Sequence, residues 1–120
     1  MQIFLRKYVI LLALILPISL ISQEDKIIEI KQSGGSRQDQ DKFPGANILF
    51  KTANQRVILF HNGAFIESDL AYFYSKDNYF TALGNVIFTQ GDSLKMTCNS
   101  IEYDGKKQLA LANGDVYLER

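Results

Sequence analysis

The sequence predicts an all-β chain of repeated antiparallel strands, on three observations. Beyond residue 46 it is a succession of strand-length runs in which apolar and polar residues alternate. Asn-Gly, Asp-Gly and similar pairs separate the runs and supply the positive φ angles of tight hairpins. Residues 64–88 recur as residues 94–118 at an offset of 30, the sign of one supersecondary unit stacked on its copy. No stretch after residue 22 holds a 3.6-residue apolar period for helical length.

At the start, Arg6 and Lys7 precede an apolar run from Tyr8 to Ile18 that ends in Ser19, Leu20, Ile21 and Ser22. A basic stretch, a short apolar stretch and small residues make up a secretory signal, and the run falls short of the roughly 20 apolar residues that span a bilayer comfortably. Cleavage is expected after Ser22, so that Gln23 opens the mature chain. The other reading is a retained anchor, for which Leu20, larger than usual at its position, argues. Both readings take the chain out of the cytoplasm. Removing 22 residues from 120 leaves 98, one modest domain. The mature chain carries 11 basic and 13 acidic side chains, a formal charge of −2, which argues against a nucleic-acid partner, since that needs a basic face.

Residues 23–45 read as a short strand, carried by Ile27, Ile28 and Ile30, and a flexible polar linker. Gln32 to Lys42 has no apolar side chain and includes Gly34 and Gly35, so it buries nothing to offset its ordering entropy. Pro44 and Gly45 mark the boundary of a β domain over 46–120. Its expected strands are Asn47 to Lys51, Arg56 to His61, Ala64 to Ser68, Ala71 to Tyr74, Tyr79 to Ala82, Asn85 to Thr89, Ser93 to Cys98, Ile101 to Tyr103, Gln108 to Ala112 and Asp115 to Leu118.

The repeat aligns Lys76 with Lys106, Ala82 with Ala112, Gly84 with Gly114 and Val86 with Val116, and it places Asp69 on Asn99, Phe73 on Tyr103 and Ile66 on Met96. Within each unit the apolar parity slips by one residue, around Asp69 and again around Asn99, as at a bulge or corner. Asp69 and Asn99 are therefore expected as corner residues whose side chains bond the local backbone. Gly84 and Gly114 would mark a second tight bend per unit.

The ordered series Ala82-Leu83-Gly84-Asn85-Val86, Gln90-Gly91-Asp92-Ser93-Leu94, Tyr103-Asp104-Gly105 and Gly114-Asp115-Val116, preceded by Phe60-His61-Asn62-Gly63-Ala64, resembles the OstA-like (LptA-type) family over about Asn47 to Leu118. The resemblance implies an open β-jellyroll, two sheets folded into a V around an apolar inner face that holds the acyl chains of lipopolysaccharide. It further implies a periplasmic, non-enzymatic role in lipopolysaccharide transport and outer-membrane assembly. The implied partners are transport proteins of the inner and outer membranes and further copies stacked edge to edge. The chain stops at Glu119 and Arg120 directly after a strand and is short for a whole jellyroll of this type, as expected of the N-terminal piece of a longer protein.

The expected inward, lipid-binding face comprises Ile66, Phe73, Val86, Phe88, Leu94, Met96, Ile101, Tyr103, Val116 and Leu118. The same residues suit the closed core of a small sandwich; the resemblance favours the groove. A structural β scaffold without a ligand of its own is the second function class. Catalytic, metal and cofactor sites are not expected. Neither a Gly-x-Ser-x-Gly elbow nor a His-Glu-x-x-His pair occurs. His61, the one histidine, has no second ligand at metal spacing. Cys98, the one cysteine, cannot form an internal disulfide and reads as a small half-buried residue. Glu67, Asp69, Asp92, Glu102, Asp104 and Asp115 fall mostly at turns or outward positions, where solvated surface explains them.

Overall fold

The computed structural model of the chain describes residues 26–119; the signal segment expected at residues 1–22 lies outside the described residues. Ten strands pair into one antiparallel sheet: β1 (Glu29–Gln32), β2 (Gly35–Arg37), β3 (Asn47–Phe50), β4 (Val57–His61), β5 (Ala64–Ser68), β6 (Leu70–Tyr74), β7 (Tyr79–Gln90), β8 (Leu94–Asp104), β9 (Leu109–Asn113) and β10 (Tyr117–Glu119). The predicted all-β class is what forms. Pairs of runs expected as separate strands merge into the long strands β7 and β8, because the slip in parity between them is a bend within one strand and not a turn.

That bend divides the sheet into two arms. On one side β1, β4, β5, the second half of β7, the first half of β8 and β10 pair in that order. On the other side β2, β3, β6, the first half of β7, the second half of β8 and β9 follow one another. Between the halves, Leu83 pairs Ser100 and Val86 pairs Cys98, so Gly84 and Asn85 stand against Asn99 alone. This two-against-one arrangement is a β-bulge. The unit repeats it: Gly84 and Asn85 have φ of 86° and 48°, Gly114 and Asp115 have 80° and 48°. The Asp69 N–H donates to the Gly84 carbonyl at 3.0 Å, and the Asn99 N–H to the Gly114 carbonyl at 2.8 Å. The expected second bend is thus the first corner seen on the neighbouring strand. A Cβ on Gly84 would lie 3.0 Å from the Asp69 Cβ, and one on Gly114 2.8 Å from the Asn99 Cβ. Both glycines are fixed by close approach as well as by φ.

The Asp69 side chain departs from expectation. The Asp69 carboxylate accepts from Arg56 Nη2 at 3.1 Å and from Asn85 Nδ2 at 3.0 Å, with Lys51 Nζ at 3.4 Å. Its partners are side chains from neighbouring segments, because the bulge presents Asn85 and the residue just ahead of β4, Arg56, stands beside it.

The polar stretch Gln32 to Lys42, expected as a mobile loop, contributes β2, which pairs β3. Backbone hydrogen bonds supply what its side chains cannot: Gly34 N–H donates to the Phe50 carbonyl at 2.9 Å. The Phe50 ring sits where a Cβ on Gly35 would be, 2.6 Å from the nearest ring atom, so glycine admits the aromatic. Downstream, Phe43 stacks on Tyr72 at 4.5 Å, and Ala46 and Ile48 are fully buried without joining the main core. The turn before β3 therefore covers the outer face of its arm. The sheet draws in residues from both sides of the expected boundary at 45 and 46.

The main core lies between the arms. Leu49, Ala71, Phe73, Phe80, Ala82, Ile101 and Tyr103 from one pack with Val57, Leu59, Ala64, Ile66, Val86, Phe88 and Cys98 from the other, and Ile28 joins them. Burial of each large apolar side chain is worth about 1.5–3 kcal/mol. This face-to-face burial holds the folded sheet closed.

Candidate functional site

Alternation along each strand puts every second residue on the inner face. Antiparallel register then joins those residues into rows across strands. One row runs Leu59, Ile66, Phe88, Met96, Leu118, each the cross-strand partner of the next. Leu59 and Ile66 are 0 % exposed, Phe88 7 %, Met96 half-buried and Leu118 51 %. In the facing arm the rows are Leu49, Ala71, Ala82, Ile101, Ala112 and Phe73, Phe80, Tyr103, Ala110. They too pass from buried to half-buried at β9. The inner face is closed through β7 and through Cys98, Ile101 and Tyr103 of β8, and it thins to half-buried residues at Leu94, Met96, Ala110 and Ala112 and to the exposed Leu118 on β10.

Of the expected inward residues, Ile66, Phe73, Val86, Phe88, Ile101 and Tyr103 come together in the buried core, with Leu94 and Met96 half-buried against them. Leu118 continues the row from Met96 to the sheet edge. Val116, 52 % exposed, lies just before β10 and outside the ladder, since the strand begins at Tyr117 rather than Asp115. Ala110 and Ala112 were missed. They pack against the same core, and the signal was the substitution of Phe80 by Ala110 at the repeat offset, which small size made easy to pass over. Leu109 and Leu111, 47 % and 56 % exposed, pair the outward Asp104 and Glu102 and so face away from the core. The open end is a lip of apolar side chains along the edge of the core, not an enclosed cavity.

Between the arm tips the inner face is sealed by polar groups from both arms, Tyr103 and Gln108 of the second unit among them. His61 Nδ1 lies 2.7 Å from the Tyr103 hydroxyl, and His61 Nε2 lies 2.9 Å from the Lys26 carbonyl. Asn78 donates to that carbonyl at 3.0 Å and accepts from the Ile28 N–H at 2.9 Å. Residues 26–28 therefore pass between the arm tips, with Ile28 only 3 % exposed. Asn62 Nδ2 adds a bond to Gln108 Oε1 at 2.9 Å. His61 thus serves as a structural pin.

Other chemistry-bearing groups are engaged in structure. Burial pushes the Cys98 thiol up against the opposing effect of backbone hydrogen bonds, and its Sγ donates to the Ser100 carbonyl at 3.3 Å. A high-pKa, buried thiol is a poor nucleophile. Among the described residues no group of three or more His, Cys, Asp or Glu could hold a metal ion. A depression of about 330 Å³ lies at the corner, lined by Arg56, Asn85, Ile87, Thr97 and Asp115 among others. The Arg56 guanidinium beside it is already held by Glu67 at 2.8 Å, by Asp69, and by the carbonyls of Gly84 at 3.2 Å and Asn85 at 2.6 Å. Val86 and Cys98 of the core reach its lining as well, so the depression marks the corner where the inner face meets these polar groups.

An antiparallel sheet curled into two arms, built on a repeated unit with an apolar inner face that opens toward one edge, defines an open β-jellyroll of half-barrel form. The family model described as OstA-like protein matches residues 25–120. The chain belongs to the OstA-like family. The same comparisons find no match among curated proteins or among solved structures.

Proposed function

We propose that this protein is a non-enzymatic periplasmic lipid carrier, taking part in lipopolysaccharide transport and outer-membrane assembly, with acyl chains resting on the open end of its inner face. The observation that carries the reading is the row Leu59, Ile66, Phe88, Met96, Leu118, apolar throughout and increasingly exposed toward β10. Each methylene of an acyl chain costs about 0.8 kcal/mol in water, so about ten of them oppose desorption by about 8 kcal/mol. A lipid with several such chains needs apolar cover to cross an aqueous compartment, and a lip open along one side covers tails while a head group stays wet. The signal features at Arg6, Lys7 and the following apolar run and the OstA-like family match support the envelope setting. Transport proteins of the inner and outer membranes are the partners this reading implies, and the outer edges of β9 and β10, which among the described residues pair only β8, suit strand addition by one of them or by a second copy.

The test is a photocrosslinkable residue placed at Leu118 or, on the same strand and facing out, at Tyr117, in cells making lipopolysaccharide. A crosslink from 118 and none from 117 is expected. Equal crosslinking from both, or from neither, rejects the groove. The second reading, a ligand-free scaffold, draws on the closure of the first unit, where Ile66, Val86 and Phe88 are core residues; native mass spectrometry showing no co-purified lipid favours it.

A further inference from the structure

Among the described residues, every member of the main core lies on a strand except Ile28. It is 3 % exposed, whereas Ile27 and Ile30 beside it are 73 % and 43 % exposed. Ile28 also stands ahead of the ladder, since the pairing of β1 with β4 begins at Glu29 and Phe60. Side chains hold this stretch instead. An amide donates and accepts at once, and that of Asn78 takes both the Lys26 carbonyl at 3.0 Å and the Ile28 N–H at 2.9 Å, while His61 Nε2 lies 2.9 Å from the same carbonyl. The Asn78 amide is itself fixed. The Asn78 carbonyl accepts from the Gly105 N–H at 2.8 Å, and a Cβ on Gly105 would fall 2.5 Å from Asn78 Nδ2, so glycine leaves the amide its room. Asn78 stands in the turn from β6 to β7 and His61 ends β4 in the other arm, so residues 26–28 are clasped between the arm tips.

We infer that residues 26–28 are a displaceable strap, with Ile28 filling a slot of the inner face that a fatty acyl chain takes when the strap lifts off Asn78. The inference rests on the lipid-carrier reading. A packed core gives a ligand room only where a side chain leaves it. The strand-borne core residues leave only with their ladders. Ile28 leaves at the cost of hydrogen bonds to two side chains and with the sheet intact, which places the strap at the low-stability end of the fold. A depression of about 210 Å³ lined by Lys26, Ile27, Ser75, Asn78 and Lys106 adjoins the clasp, so water reaches the freed amide while the acyl chain replaces Ile28 as apolar cover.

The test is hydrogen exchange at the Ile28 N–H, read by nuclear magnetic resonance on the signal-free chain with and without a dansylated undecanoic acid whose fluorescence reports binding. Saturating probe is expected to speed exchange at Ile28 by about tenfold or more, as local opening of the strap requires, while the amides of β7 do not speed up. Ile28→Ala vacates part of the slot and should bind the probe about tenfold more tightly, the effect of about two competing methylenes removed; the exposed Ile27→Ala should match wild type. Near-ultraviolet circular dichroism reports whether Ile28→Ala keeps its packing, and if it does not, exchange in the wild type decides alone. Probe-saturated wild type whose Ile28 exchange is unchanged or slower, or a folded Ile28→Ala that binds no more tightly than a wild type that does bind, overturns the inference and leaves the carrier reading standing. Folded wild type and folded Ile28→Ala that both bind no probe overturn the two together.

Discussion

His61 Nδ1 on β4 and the Tyr103 hydroxyl on β8 meet at 2.7 Å between the two arms, with both residues buried. The Lys26 carbonyl, 2.9 Å from Nε2, can only accept, so Nε2 carries a proton, and in the neutral imidazole Nδ1 accepts from the tyrosine. Burial raises the Tyr103 hydroxyl pKa and keeps that donor protonated. Tyr103→Phe leaves Nδ1 buried without a partner, which costs about 1–3 kcal/mol. Urea unfolding is expected to show the loss as a lower midpoint at unchanged slope; an unchanged midpoint would mean the pin contributes nothing.

Gly84→Ala is expected to destabilise more than Gly91→Ala, although both glycines have positive φ, 86° and 59°. The left-handed conformation costs a non-glycine residue about 1–2 kcal/mol at either site. At Gly84 the new Cβ also meets Asp69 Oδ2 at 2.9 Å, whereas nothing lies within 4 Å at Gly91. Thermal melts of the two variants decide the order, and equal melting temperatures would show that the corner yields freely.

Desolvation pushes the Asp69 carboxyl up, but hydrogen bonds from Asn85 and Arg56 and the charge of Lys51 outweigh it, and its pKa lies below the ordinary value. The unfolded chain therefore binds this proton more readily than the folded one. Asp69 contributes its full stabilisation above the unfolded value of about 3.9 and loses it as pH falls through the lower folded value. Asp69→Asn is expected to be less stable than wild type at neutral pH, with the difference shrinking below about pH 4. Urea midpoints across that range, taken as wild type minus variant, measure it; a constant difference would remove Asp69 as the titrating group.

The two faces of β7 predict opposite outcomes for neighbouring substitutions. Phe88, 7 % exposed between its partners Ile66 and Met96, cannot take an unpaired carboxylate without a cost of several kcal/mol. Phe88→Glu is expected to unfold the chain. Ile87 faces outward between Glu67 and Thr97, and Ile87→Gln should stay within about 0.5 kcal/mol of wild type. Leu118→Glu, at the 51 % exposed end of the inner row, should keep its fold and lose lipid. Circular dichroism melts separate the first two outcomes, and fluorescence titration with a dansylated undecanoic acid reads the third; probe binding retained by a folded Leu118→Glu would move the lipid away from β10.

The sequence by itself determined the strand content, the repeat and the inward parity of Ile66, Phe88, Met96 and Leu118, because alternation and turn chemistry are local and both are written in consecutive residues. It marked the corners at Asp69 and Asn99 through the slip in that parity. It did not reveal β2, whose pairing rests on backbone hydrogen bonds to β3 that polar side chains do not announce. Nor could it sort the ten inward residues into core and lip. That division depends on what packs together across the fold and not along the chain: Ile66 is wholly buried in the core that holds Phe80, whereas Met96 packs against that core from its half-buried margin. Tertiary structure alone decided it, because burial is set by the side chains that the two arms bring together, and those are distant from one another in sequence.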